Sequence, residues 1–222
     1  NIEGVLLAIA VTPIVQFFVL IFIFGKTLKE YIKFSKLSFK APLIKVLLGF
    51  TLISFVATVC SNLVEINFRT LISDRISENE AGIWTAMSSI SKIYMQFLIT
   101  IFSIYILPKY AEIHFSEGFK KEVKTIYKTL LPLVIIGMLF VYFSKEYLIL
   151  TIYNEAFIGM TVLFKWQLLA DLVRFIANIL SFKFLAKNQI NYFVSTQLLG
   201  LLSYYIFGRL LINSYDVQGL VM

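Results

Sequence analysis

The chain holds one cysteine, one histidine and four prolines in 222 residues, and only 15% of it is charged. A lone thiol cannot close an intramolecular disulfide, and Cys60 lies inside an apolar run, so redox and disulfide frameworks are excluded and Cys60 reads as inert packing. One histidine cannot furnish HExxH, and neither GxSxG nor a glycine-rich phosphate loop occurs. The sequence therefore offers no catalytic residue, no metal-ligand set and no cofactor site, and the reading is that the chain is not an enzyme. His114, set among Glu112 and Glu117, reads as a solvated loop residue. Alternating apolar and polar segments of the barrel type are lacking as well.

Apolar residues are abundant instead. At 59% hydrophobic and 16% aromatic, the chain carries far more apolar surface than one soluble core could bury. The expected fold class is an all-α integral membrane protein, a polytopic helical bundle. Windows near the length of about 20 residues needed to cross a hydrocarbon core of roughly 30 Å can be placed at 3–24, 46–66, 84–107, 129–144, 158–182 and 190–212. Pro13 and Pro132 are tolerable in such helices because neighbours resatisfy the freed backbone. No segment is left for a soluble domain. A first residue that is not methionine and the apolar close "DVQGLVM" carry the expectation of a piece of a longer transporter-like chain.

The charges between these windows set a topology. Lys26, Lys29, Lys33, Lys36, Lys40 and Lys45 crowd the first loop against Glu30, and Lys109, Lys120, Lys121, Lys124 and Lys128 the third, while Lys187 sits in the fifth. The opposite side holds Arg69, Arg75 and Lys145 among Asp74, Glu78, Glu80, Glu146 and Glu155. Short cytoplasmic loops accumulate Lys and Arg, so the basic loops are placed in the cytoplasm and Asn1 outside it. The formal net charge of +7 then reports topology and attraction to anionic membrane lipids. It does not point to nucleic acid, since no soluble module interleaves those lysines with stacking aromatics.

Polar residues inside the windows recur at helical spacing. Thr51, Ser54, Thr58, Ser61 or Asn62, Glu65 and Arg69 share one face of the second; Thr85, Ser88, Lys92, Gln96 and Ser103 one face of the third; Gln167, Asp171, Arg174, Asn178 and Ser181 one face of the fifth. An ionisable side chain at mid-membrane costs about 2.5 to 3.5 kcal/mol on insertion scales, so it faces a bundle interior or a wet cavity. Lys92 lies eight residues past Trp84, and at about 1.5 Å per residue this puts it roughly 12 Å below the outer edge. A shared internal cavity is the economical expectation. Asp171 and Arg174 also have the spacing to pair along their own helix. Lys183 and Arg209, near helix ends, and Lys165, off the stripe, are read as snorkelling to the interface. Trp84 and Trp166 read as interfacial or packing aromatics, with stacking against sugar rings as the alternative.

The run "GIWTAMSSISKIYMQFLITIFSIYILPKYAEI" with "FKWQLLADLVRFIANILSFKFLAKNQ" resembles the corresponding helices of Wzx-type flippases for O-antigen and related polysaccharide repeat units, in the MOP (MATE-like) exporter superfamily. Trp84, Ile90, Ser91, Tyr94, Tyr105, Leu107, Pro108, Phe164, Trp166, Gln167, Asp171 and the turn at 186–189 carry the resemblance, which extends from about residue 45 to 222. It implies one lobe of a two-lobe MATE/MOP-type transporter: residues 1–45 would be the last helix of the first lobe with its basic loop, and residues 46–222 the second-lobe bundle, truncated at its C-terminus. It further implies an undecaprenyl-diphosphate-linked oligosaccharide as substrate, moved by alternating access across a bacterial inner membrane. On that reading Ser88, Lys92, Gln96, Trp166, Gln167, Asp171, Arg174 and Asn178 line the substrate cavity. Lys92 and Arg174 would counter phosphate charge, the amides would bind sugar hydroxyls, and Asp171 would carry a coupling proton or cation. Other membrane proteins of polysaccharide assembly are expected partners. A drug or cation antiporter of the same superfamily, or a membrane polysaccharide polymerase, are the alternatives.

Overall fold

The computed structural model describes residues 2–31, 41–113 and 115–221. Among the described residues it is built of eight α-helices with short 3-10 and π segments and no strand, an all-α membrane protein. Four stretches are long and apolar enough to cross a membrane: Gly4–Gly25, Ser54–Arg75, Glu78–Glu112 and Glu117–Phe143. Part of the basic first loop (Lys33, Lys36 and Lys40) and His114 lie outside the described residues.

The chain divides into two compact units, Asn1–Leu48 and Gly49–Met222. In the first, α1 (Ile2–Tyr31) contains Pro13 and exposes apolar side chains all round from Val5 to Phe24, as a lipid-facing helix does. Pro13 leaves the Ile9 carbonyl without its usual N–H donor, and in the same turn Thr12 Oγ1 donates to the Ala8 carbonyl at 2.7 Å.

The second unit takes up most of α2 (Ala41–Arg75) and continues into α3 (Glu78–Ile101). The break between them is written in "SENE": Ser77 caps α3, its Oγ accepting the Glu80 N–H at 3.2 Å, with acidic Glu78 and Glu80 in the first turn favouring the positive helix end. The helix widens into a π turn at Phe102–Ile106, where the Leu107 N–H donates to the Phe102 carbonyl, then resumes as α4 (Leu107–Glu112). Pro108 explains the widening, because its ring has no N–H and would crowd the carbonyl four residues back in a regular helix.

Next come α5 (Ser116–Phe143), α6 (Lys145–Ile152), a 3-10 turn at Glu155–Val162, α7 (Phe164–Ala186), α8 (Ile190–Tyr215) and a 3-10 turn at Asp216–Leu220. Three expectations are corrected here. The basic segment read as the third loop is largely helix, since α5 starts at Ser116 and carries Pro132 inside it. The fifth window, expected from residue 158, begins as a 3-10 turn because Asn154 Oδ1 accepts the Ala156 N–H at 3.1 Å and starts a tighter coil. Finally, α7 and α8 reach 23 and 26 residues but are not among the four most apolar stretches; Lys165, Asp171, Arg174 and Lys183 lower the apolarity of α7, and polar residues with Arg209 that of α8.

The turn between α7 and α8 is a Schellman closure. Asn188 adopts φ 55°, the left-handed region asparagine tolerates, while the Gln189 N–H reaches the Phe184 carbonyl at 2.8 Å and the Asn188 N–H the Leu185 carbonyl at 3.1 Å. From this turn Lys187 Nζ donates to the Ala111 carbonyl at 3.2 Å and to the Ile113 carbonyl. It thereby satisfies carbonyls at the negative end of α4.

A buried stripe on α7 organises the core. Phe164, Leu168, Asp171, Phe175, Ile179 and Phe182 are all buried at spacings of three and four, one face of a helix. Phe102 packs on Phe182 and Phe175 at ring separations of 4.8 and 5.2 Å, so α7 is held against the π turn. In lipid such packing and interhelical hydrogen bonds, more than the hydrophobic effect, hold helices together. One charged residue, Asp171, interrupts this apolar stripe.

Candidate functional site

The polar faces of α2, α3 and α7 meet at one cavity of about 770 Å³ in the second unit, and α8 closes it. Thr58, Ser61, Asn62 and Glu65 come from α2; Ser88, Ser91 and Lys92 from α3; Gln167, Arg174, Asn178 and Ser181 from α7; Thr196, Gln197 and Tyr204 from α8. The recurrence at three and four residues that marks each stripe in the sequence is what brings these side chains to one wall per helix.

Both cations on the wall are paired. Lys92 Nζ lies 2.6 Å from each carboxylate oxygen of Glu65, linking α3 to α2. Arg174 Nη1 lies 3.3 Å from Asp171 Oδ1 along α7, the three-residue spacing that permits such pairing. Two positive and two negative side chains therefore balance here. The Lys92–Glu65 pair is open, at 61% and 29% side-chain exposure, and an exposed pair is a weak one that exchanges partners at small cost.

Asp171 is fully buried and held on one oxygen. Its Oδ2 accepts Ser91 Oγ at 2.5 Å, the Tyr94 hydroxyl and Gln167 Nε2 at 3.1 Å; Gln167 Nε2 also lies 3.2 Å from Ser91 Oγ. Its Oδ1 has no hydrogen-bond donor and faces only the Arg174 guanidinium, close but poorly aligned. A buried carboxylate is costly unless paired and hydrogen-bonded, and three donors with one cation meet that need. The cluster ties α3 to α7 and holds Arg174 at the cavity edge.

Of the residues the sequence singled out, Ser88, Lys92, Gln167, Arg174 and Asn178 line the cavity, and Asp171 lies behind its wall. Gln96 and Trp166 are not among the lining residues. Gln96 is exposed a full turn beyond Lys92, although α7 lines the cavity as far as Ser181. Trp166 is one helical position, about 100°, away from Gln167; it packs partly buried against the core with Lys165 Nζ 4.8 Å from its ring. Trp84 is a packing residue rather than an interfacial one, being 2% exposed, and it lines the cavity. Arg209, read as snorkelling, instead approaches Asn67 Oδ1 at 3.4 Å and stands over the Tyr205 ring at 5.4 Å. Sequence reasoning did not assign Tyr94 to the site or see the α8 wall. The recurrence of Gln197, Gly200 or Leu201 and Tyr204 was the available signal for the latter.

The chain is 27% identical over 217 residues to proteins named Lipid III flippase from Escherichia coli (strain K12) and Shigella flexneri. These matches cover 98% of this chain and 52% of each relative, so it spans about half the length of the curated relatives it matches. No family model matches, and no solved structure matches.

Proposed function

We propose that this chain is one lobe of a flippase for a lipid-linked oligosaccharide, and that its cavity receives the polar head while the lipid tail stays in the bilayer. The observation that carries this reading is the convergence of Lys92, Arg174, Gln167 and Asn178 on one polar cavity within a membrane bundle; the similarity to proteins named flippases supports it. A charged head cannot cross hydrocarbon unaided, and a hydroxyl- and amide-lined cavity substitutes for its water. Lys92 binds the anionic head by exchanging Glu65 for it, which the open, weak pair permits. Arg174 adds a planar donor fork. The remaining half of the relatives' length would supply the opposing wall, and alternating exposure of the cavity moves the head between leaflets. The setting is a bacterial inner membrane, with O-antigen or another surface polysaccharide as the downstream product and other polysaccharide-assembly membrane proteins as partners. Asp171 remains the candidate for a coupling proton or cation.

One observation favours a second reading, the cation antiporter: the carboxylates of Glu65 and Asp171 balance both cations of the wall. Two experiments test these readings. Lys92→Ala in the full-length protein is expected to abolish surface polysaccharide display while membrane levels stay normal. Normal display overturns the assignment of Lys92 to the anionic head, and efflux of organic cations by the purified protein overturns the flippase reading.

A further inference from the structure

We infer that a groove between α5 and α7, outside the polar cavity, is a binding site for an anionic phospholipid of the surrounding bilayer. Its floor is apolar, formed by Phe119, Val123, Tyr127 and Leu180, and Lys120, Lys124 and Lys128 stand along its edge. The lysines recur every fourth residue, so they share one face of α5 at about 6 Å intervals. All three are exposed, and among the described residues none is in a salt bridge, whereas Lys109 is occupied by Glu122 at 2.6 Å. The groove is also fixed in shape. The Tyr127 hydroxyl donates to the Ile176 carbonyl at 3.1 Å, and Lys183 Nζ sits 4.3 Å from the Phe119 ring, which ties α5 to the end of α7 and adds a fourth cation.

Position along the helix selects the ligand. The span Glu117–Phe143 has 27 residues, about 40 Å, enough to cross headgroups as well as hydrocarbon. Only the part after Lys128 is free of charge, and at about 22 Å it is shorter than a hydrocarbon core of roughly 30 Å. Lys120 and Lys124 therefore lie near headgroup and glycerol depth and Lys128 snorkels up to it from just inside the core, on the side that the lysine distribution assigns to the cytoplasm. A phosphate there meets two or three ammonium groups while its acyl chain fits the apolar floor. A soluble acidic protein would gain the charge but leave the floor uncovered. Each lysine beside an anionic lipid surface is worth about a fivefold change in partition.

The test is native mass spectrometry of the full-length protein in detergent, titrated with phosphatidylglycerol or phosphatidylcholine of matched chains. The wild type is expected to retain phosphatidylglycerol preferentially, and K120Q/K124Q/K128Q to lose that preference by up to about a hundredfold. The triple arginine variant is expected to keep it, and Lys92→Gln to leave it unchanged; helix content by circular dichroism must match throughout. Equal retention of the two lipids by the wild type, undiminished preference in the glutamine variant, or loss of preference in Lys92→Gln would each overturn the site. Displacement of the lipid by millimolar inorganic phosphate would overturn its lipid identity, since the floor then contributes nothing.

Discussion

Removing the carboxylate of Asp171 tests whether the buried cluster locks α3 to α7. In Asp171→Ala the Tyr94 hydroxyl loses its acceptor and Arg174 its counter-charge, but Ser91 and Gln167 stay 3.2 Å apart and can pair with each other. That fallback keeps the cost near the lower end of the range for breaking a buried charged pair, about 3 kcal/mol. Tyr94→Phe alone forfeits one hydrogen bond to a charged acceptor and is expected to cost about 1.5 kcal/mol. The informative quantity is the coupling between the two changes. Neutral interhelical hydrogen bonds in membranes couple by about 0.6 kcal/mol on average and up to about 1.7; an ionised acceptor belongs in the upper part of that range. Reversible unfolding of the purified full-length protein in mixed micelles, run for both single variants and the double, should yield a coupling of about 1 to 1.5 kcal/mol. Additive effects, with coupling below about 0.5 kcal/mol, would refute the reasoning, because Tyr94 would then draw nothing from Asp171.

Two further outcomes follow from packing and capping. At Gly219 an added Cβ would meet the Leu211 main chain at 2.5 Å, a neighbour that cannot rotate aside, so Gly219→Ala should destabilise by about 1 to 3 kcal/mol; Gly200→Ala, with nothing within 4 Å, should be neutral or slightly stabilising, and thermal melts in detergent compare the two. Lys187→Ala strips donors from the Ala111 and Ile113 carbonyls and should speed hydrogen exchange at the end of α4 without altering exchange in α3; unchanged exchange at α4 would remove the capping role.

The helical, membrane-embedded character was legible because it rests on composition and on runs of apolar residues, which no tertiary detail can reverse. The cavity was legible for the same kind of reason: charge inside hydrocarbon is expensive, so Lys92 and Arg174 had to face inward wherever the helices crossed. What the stripe could not tell was which of its members reach the cavity. Gln96 shares the face of Lys92 yet is not among the residues that line the cavity, and Asp171 shares the face of Gln167 yet belongs equally to the buried stripe of Phe164, Leu168 and Phe175. Pairing across helices was hidden as well, since Glu65 and Lys92 are 27 positions apart and nothing local relates them. The lysine-rich segment read as a loop because its charges outweighed its helical spacing, and that spacing, Lys120, Lys124 and Lys128, is what α5 expresses.

The most direct measurement is the affinity of the purified full-length protein for a lipid-linked oligosaccharide diphosphate, compared among wild type, Lys92→Ala and Lys92→Arg at two salt concentrations. If Lys92 meets the anionic head, Lys92→Ala weakens binding about tenfold or more and flattens its salt dependence, while Lys92→Arg retains most of both. Equal affinity and equal salt dependence in the wild type and Lys92→Ala would contradict the assignment, and would leave Lys92 only as the partner of Glu65.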